Sequence, residues 1–170
     1  MSKGTITTSY GRAATVNGMA TPYLYGSGYG KDDELAAFAD RAAEFLASRY
    51  GLDVEKRGNS DGLSAGAFYD LPPGGLASPC LGLGADRGGK GLTYHAMFFA
   101  VPEDAEAIAA NVPGRTSDLD AQERALDAMY GQVERFGRVY SPAFSTFEEA
   151  QLWLAVWGER YCPVLKAVQK

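Results

Sequence analysis

The chain has 170 residues, of which 46% are apolar and 12% aromatic, and its formal net charge at pH 7 is -5. This hydrophobic content excludes a disordered chain and suffices for one core, so residues 1–170 are predicted to form a single compact domain. The apolar runs AMFFAV and LWLAVW are too short to span a bilayer, and the N-terminus lacks a signal-peptide core. Two cysteines without a CxxC pair are typical of a reducing compartment, so we expect a cytoplasmic protein that does not bind a membrane.

Charge is unevenly distributed along the chain. The first 31 residues carry three cations and no carboxylate, whereas residues 32–170 hold all 21 carboxylates against the remaining 13 of the 16 Lys and Arg. Direct nucleic-acid binding needs clustered cations, which this balance disfavours. It permits an acidic face that meets a protein partner with a basic surface, and it also serves plain solubility, which is the commoner explanation of such a charge.

The first segment predicts a β-hairpin at about residues 4–25. The run TITTSY alternates as a strand does, and Asn17-Gly18 is a type I′ turn signal. This segment also combines tyrosines with glycines, and tyrosine supplies rigid contact area with a polar tip in binding surfaces. Four tyrosines are therefore the predicted partner-binding residues: Tyr10, Tyr23, Tyr25 and Tyr29.

A helix is predicted at about residues 32–50, where apolar residues recur at helical spacing until Gly51. The glycine-rich run before it ends in Gly30-Lys31 but fails the P-loop pattern. Tyr25 stands where that pattern requires glycine, and Asp32 stands where it requires Ser or Thr. We therefore expect no nucleotide and no other cofactor.

A hairpin is predicted in the middle of the chain, where the strands SPCLGLG and GLTYHAMFFAV flank the six-residue loop ADRGGK. Symmetric pairing about that loop places Cys80 opposite His95. Arg87 and Lys90 lie on the loop, where mobile backbone amides and cations together suit an anion. Arg87 and Lys90 are therefore the predicted anion-binding residues.

His95 is the single histidine of the chain. Both faces of strand 91–101 are apolar, which predicts a central strand with the imidazole packed in or near the core. No catalytic residue is favoured on this interpretation. The alternative is that His95 lowers the pKa of the Cys80 thiol and so creates a nucleophile. One histidine and two separated cysteines are too few preferred ligands for a metal, so no metal site is expected.

Three further helices are predicted at about residues 102–110, 118–136 and 146–161, the last with Ser145 and Glu148 as its capping box. Its LWLAVW stretch is apolar nearly all round. The 147–161 helix is thus expected to lie deep between layers or to present a partner-binding face, which would carry a homo-oligomer.

The predicted fold is α+β, with a mainly antiparallel sheet of about five to seven short strands, three main helices and one short helix. The favoured function is a small acidic binding protein without catalytic activity that docks on a macromolecular partner through its tyrosine-rich hairpin or an acidic helical face. The class of protein that this composition suggests is an inhibitor of a host nucleic-acid-binding enzyme, of the phage or plasmid counter-defence type, which would block a basic surface by charge complementarity. The alternative is a cysteine hydrolase or transferase that uses a Cys80-His95 pair, and a third interpretation is a subunit of a larger assembly.

Overall fold

A computed structural model of the chain describes residues 5–8, 11–15, 32–58, 62–71, 79–117 and 137–169. Within these ranges the protein is α+β, with a six-stranded antiparallel sheet and four helices. The predicted fold class is therefore confirmed. No helix in the described ranges is long and apolar enough to cross a membrane.

Eight strands are described along the chain. In chain order they are β1 Thr5–Thr8, β2 Gly11–Thr15, β3 Glu55–Gly58, β4 Ser64–Asp70, β5 Cys80–Gly88, β6 Gly91–Ala100, β7 Arg115–Ser117 and β8 Gly137–Tyr140. The first two form a separate two-stranded sheet. The other six lie in the order β3-β4-β5-β6-β8-β7.

The helices of the described residues agree with three of the four predicted segments. They are α1 Asp33–Tyr50, α2 Ala105–Asn111 after a 3-10 turn at Pro102–Asp104, a composite α3, and α4 Pro163–Ala167. The α3 helix begins as Phe147–Trp153, continues through a π-helical turn at Leu154–Gly158 and ends as Glu159–Tyr161. The predicted helix at 118–136 lies outside the described residues.

The N-terminal hairpin reverses earlier than the Asn17-Gly18 signal predicts. β1 pairs antiparallel with β2, and Thr8 lies opposite Gly11. The Asn17-Gly18 pair and the predicted returning strand lie outside the described residues.

Contacts group the chain into two compact units, and the prediction of a single domain over 1–170 stays a prediction. The first unit comprises Met1–Tyr69 and Gly82–Thr93. Its core contains the buried apolar face of α1 and, from β4 and β5, Ala65, Ala67, Leu83 and Ala85. Alternate residues of a strand point to one face, so these four side chains line the same face of the sheet.

The second unit comprises Asp70–Leu81 and Tyr94–Lys170. Its core is built on aromatic pairs between β6 and α3. The ring centroids of Phe98 and Trp153 are 5.3 Å apart, and those of Tyr94 and Phe147 are 6.3 Å apart in a stacked arrangement. Phe98 and Phe99 point to opposite faces and are 0% and 1% exposed, so this end of β6 is covered on both sides, as predicted.

The capping box of α3 lies one residue later than predicted. Thr146 is the N-cap and its hydroxyl accepts a hydrogen bond from Glu149 N, while the Glu149 carboxylate accepts one from Thr146 N. The sequence STFEE satisfies the S/T-x-x-E pattern in both registers, because Ser145 precedes Glu148 by three residues as well. The structure selects Thr146.

Candidate functional site

The start of α1 is held to β5 by a cluster of charged side chains. Asp32 is the N-cap, and its Oδ1 accepts hydrogen bonds from the backbone N–H groups of Glu34 and Leu35. The Arg87 guanidinium donates to both carboxylate oxygens of Asp32 at 2.8 Å and to Oε1 of Glu34 at 2.7 Å. A planar guanidinium bonded at two points is the strongest arrangement for such a pair.

This cluster shifts the ionisation of its members. The hydrogen bond from Arg87, followed by the backbone N–H of Leu35, lowers the pKa of Asp32 below its ordinary value. The hydrogen bonds to Asp32 and then to Glu34 raise the pKa of Arg87 above its ordinary value. Asp32 and Arg87 therefore both stay charged at neutral pH, although their side chains are about a quarter exposed, 27% for Arg87 and 24% for Asp32.

The structure places the two predicted anion-binding residues in different surroundings. Arg87 donates its hydrogen bonds to the carboxylates at the start of α1. Lys90 is exposed in the turn that joins β5 to β6. Anion binding by Arg87 and Lys90 stays a prediction, and any external anion must compete with Asp32 and Glu34 for Arg87.

That turn is shorter than the sequence predicts. β5 continues to Gly88 and β6 begins at Gly91, so two residues, Gly89 and Lys90, connect them in place of a six-residue loop. The strand continues because β4 runs beside it. Ser64 Oγ donates to Asp86 Oδ1 at 2.6 Å, and the Arg87 N–H donates to the Leu63 carbonyl at 2.7 Å.

The shorter turn changes the partner of Cys80. Counting back along both strands from Gly88 and Gly91 places Cys80 opposite Phe99. His95 is then four residues away along β6, or about 13 Å at the usual rise of a strand. The register that set Cys80 opposite His95 is therefore wrong, because it treated residues 85–88 as loop.

The Cys80 thiol lies among residues of the second unit. Its Sγ is 4.0 Å from Sδ of Met97. The Leu71 N–H donates to the Pro79 carbonyl at 2.9 Å, and this pairing of β4 with β5 places Asp70 opposite Cys80. His95 is half-buried on the same strand as Met97.

The second cysteine is buried. Cys162 is 0% exposed and lies between α3 and α4. Burial raises the pKa of its thiol, an effect that backbone N–H groups of Leu165, Val164 and Phe99 partly offset. This environment is that of a small apolar side chain in a core.

The outer face of α1 carries exposed acidic side chains, and an acidic helical face is one of the two docking surfaces that the sequence suggests. Asp33, Ala37, Asp40 and Glu44 are exposed and recur at spacings of four, three and four. Asp40 is 64% exposed and accepts a hydrogen bond from Lys56 Nζ at 2.7 Å. The helical spacing of these acids was the signal in the sequence, because the buried residues of α1 fixed which face turns outward.

The remaining predicted site residues fall outside what the structure describes. The four partner-binding tyrosines, Tyr10, Tyr23, Tyr25 and Tyr29, lie outside the described residues. Within the described ranges, His, Cys, Asp and Glu side chains nowhere form a group of three that could hold a metal ion.

The comparisons with known proteins add no further constraint on the site. No protein family matches the chain, and no curated protein or solved structure matches it either.

Proposed function

We propose that this protein is a binding protein without catalytic activity, which docks through the outer face of α1 on a basic surface of another protein. The observation that supports this is the exposed row Asp33, Ala37, Asp40 and Glu44. From Asp33 to Glu44 the row extends roughly 16 Å at 1.5 Å per residue. Carboxylates at such intervals complement clustered Lys and Arg side chains.

The composition of the row suits a partner that approaches closely. Ala37 is exposed between the acids, and its short side chain leaves space for a side chain of the partner at that point. Arg41 is exposed beside the row, and the half-buried Lys56 pairs with Asp40. Both cations partly balance the charge of the row, so the row needs a partner with several cations. The net charge of -5 adds long-range attraction to such a partner.

Clustered cations on proteins are typical of surfaces that hold nucleic-acid phosphates. The partner class that follows from this chemistry is a nucleic-acid-binding enzyme, and docking would inhibit it by occupying the phosphate-binding surface. Counter-defence by a phage or plasmid protein is one setting in which such inhibition would act. The complex should weaken as salt rises, because exposed charges are screened within about 10 Å at 0.1 M salt.

Affinity capture with matched variants tests this proposal. Three immobilised baits would be exposed to a bacterial lysate at low salt: the full wild-type chain, a triple variant and a control variant. The triple variant carries Asp33→Asn, Asp40→Asn and Glu44→Gln, and the control carries Glu103→Gln and Glu106→Gln. The control removes exposed acids from the other unit. We expect a protein retained by the wild type and by the control, but retained about tenfold less by the triple variant.

The same protein should elute when salt or double-stranded DNA is added. Purified partner would then be titrated against each bait, and the dependence of Kd on salt should be shallower for the triple variant. Equal retention by the wild type and the folded triple variant would contradict the proposal. So would a wild-type bait that retains no salt-sensitive protein.

A further inference from the structure

The outer face of α3 carries four exposed side chains at a constant spacing. Between residues 148 and 160 the exposed positions are Glu148, Glu149, Leu152, Val156 and Arg160. All except Glu149 are separated by four residues, and we call these four the α3 row. Its two central side chains are apolar, and they are 63% exposed for Leu152 and 48% for Val156. Apolar side chains of this size, adjacent on one helix face, are typical of a contact surface.

The π-helical turn keeps the α3 row straight. In a regular α-helix each step of four residues rotates the side chain by about 40°, so a row of this spacing drifts around the helix. The wider turn at Leu154–Gly158 rotates less per residue and offsets that drift. Leu154 and Gly158 stay buried on the opposite side of the helix while Val156 stays exposed.

The α3 row is complementary to itself when it is reversed. Its order along the helix is acid, apolar, apolar, base. The outer pair, Glu148 and Arg160, and the inner pair, Leu152 and Val156, are both centred on the level of residue 154. A second helix packed antiparallel about a two-fold axis at that level brings Glu148 of one copy opposite Arg160 of the other. The same operation brings Leu152 opposite Val156. A two-fold axis generates each of these contacts twice.

The flanking residues are consistent with this arrangement. Two acids lie at the N-terminal end of α3. The Glu149 carboxylate accepts hydrogen bonds from the N–H and the hydroxyl of Thr146 in the capping box, whereas the Glu148 carboxylate takes no part in that capping box. Arg160 lies over the ring of Tyr161 with 5.5 Å from Cζ to the ring centroid. Ala155 and Trp157 are half-buried on either side of the row and widen its apolar centre.

We propose that the α3 row is the interface of an antiparallel homodimer, with a second copy of this chain as the occupant. The contact is small, because four side chains per copy cover far less than the roughly 800 Å² per partner of a standard interface. The dimer is therefore weak and forms with rising protein concentration. The α3 row belongs to the second unit, whereas α1 belongs to the first.

Sedimentation equilibrium over a concentration series up to about 1 mM tests the proposal, since small interfaces associate in this range. We expect the average mass to rise from that of the 18.1 kDa monomer towards twice that value. Glu148→Arg alone and Arg160→Glu alone should each weaken dimerisation about tenfold, because each places like charges opposite one another twice. The double variant Glu148→Arg with Arg160→Glu should restore it to within about threefold of the wild type.

Leu152→Asp should abolish dimerisation, and Leu63→Asp is its matched control, because Leu63 is 50% exposed in the other unit. Thermal unfolding of each variant shows that it is folded before its mass is measured. A wild type that stays monomeric throughout the series overturns the proposal. A dimer that persists in folded Leu152→Asp, or that the charge swap does not restore, overturns it as well. A Leu152→Asp variant that is monomeric but still retains the basic partner would show that dimerisation and partner binding are separate properties.

Discussion

At the scale of single residues, the two cysteine thiols differ in how far they are buried. Cys80 is half-buried near Met97, whereas Cys162 is completely buried and its pKa is raised. The thiolate is the species that reacts with alkylating agents. Burial and a raised pKa therefore protect Cys162 twice, by excluding the reagent and by keeping the thiol protonated.

We expect iodoacetamide near neutral pH to label Cys80 in the native protein and Cys162 only after unfolding in urea. His95→Ala should change the rate at Cys80 by less than about twofold, because the register separates the two side chains. Mass spectrometry of digested protein gives both rates. A tenfold slower reaction at Cys80 in His95→Ala would instead favour the alternative of a cysteine hydrolase or transferase.

At the scale of elements, the glycines of β4 and β5 set how closely the strands approach. A Cβ at Gly82 would meet the Ala67 carbonyl oxygen and the ring of Phe68, and would come within 2.9 Å of the Phe68 Cα. Two of these neighbours are backbone atoms of a paired strand, which cannot move without disturbing the sheet. The aromatic ring of Phe68 thus lies over a position that only glycine fills.

We expect Gly82→Ala to destabilise the protein by about 2–4 kcal/mol through this overpacking. Gly88→Ala is the matched control on the same strand, because its nearest neighbour would be the Gly91 carbonyl oxygen at an ordinary 3.6 Å. Urea unfolding of both variants measures the difference. Equal stabilities for the two variants would show that the strands can separate locally at little cost.

Elements differ in how far their sequence predicts them. The α1 helix was predictable because a strong apolar period, a capping aspartate and Gly51 agree, and Gly51 adopts the left-handed φ of 67° that ends the helix. The register of β5 and β6 was not predictable, because ADRGGK has the composition of a turn, whereas pairing with the neighbouring strands β4 and β6 continues β5 to Gly88. For α3, an apolar stretch did not reveal that Leu152 and Val156 face outward.

At the scale of the whole molecule, the link between α1 and β5 makes global stability depend on pH. Asp32 has a lowered pKa in the folded protein, chiefly because Arg87 donates to it. The stability that ionised Asp32 contributes to the folded protein is fully present above the pKa of the unfolded chain, about 3.9. It is lost as the pH falls through the lower pKa of Asp32 in the folded protein. The stability of the wild type should therefore decline with acidification below about pH 4 partly through this group.

Asp32→Asn should be less stable than the wild type at neutral pH, and the difference should shrink as the pH falls below about 4. Asparagine caps helices as well as aspartate does, so this variant isolates the charge. Asp32→Ala should lose about 1 kcal/mol more than Asp32→Asn at every pH, because it also removes the cap. Urea unfolding from pH 7 to pH 3 gives all three curves. A difference between wild type and Asp32→Asn that is constant with pH would contradict the role assigned to Arg87.

Core residues and surface residues differ in how far the sequence predicts them. Burial patterns recover the core and the class of fold, because apolar residues recur at a regular spacing along the sequence. The same spacing predicts the outward face of α1. The α3 row needed the structure, because its segment is apolar nearly all round and its spacing does not show that Leu152 and Val156 face outward.

The π-helical turn of α3 also decides which changes the C-terminal region can accept. A π-helical turn accommodates one extra residue in a helix, so removing one residue from Leu154–Gly158 would return the segment to an ordinary α-helix and leave the residues after it on nearly the same face. Tyr161, Cys162 and Leu165 would therefore stay inward. Inserting a residue into the regular turn before the π-helical one would instead rotate these three side chains by about 100° towards water. The C-terminal region should therefore tolerate the loss of one residue in this stretch better than the gain of one.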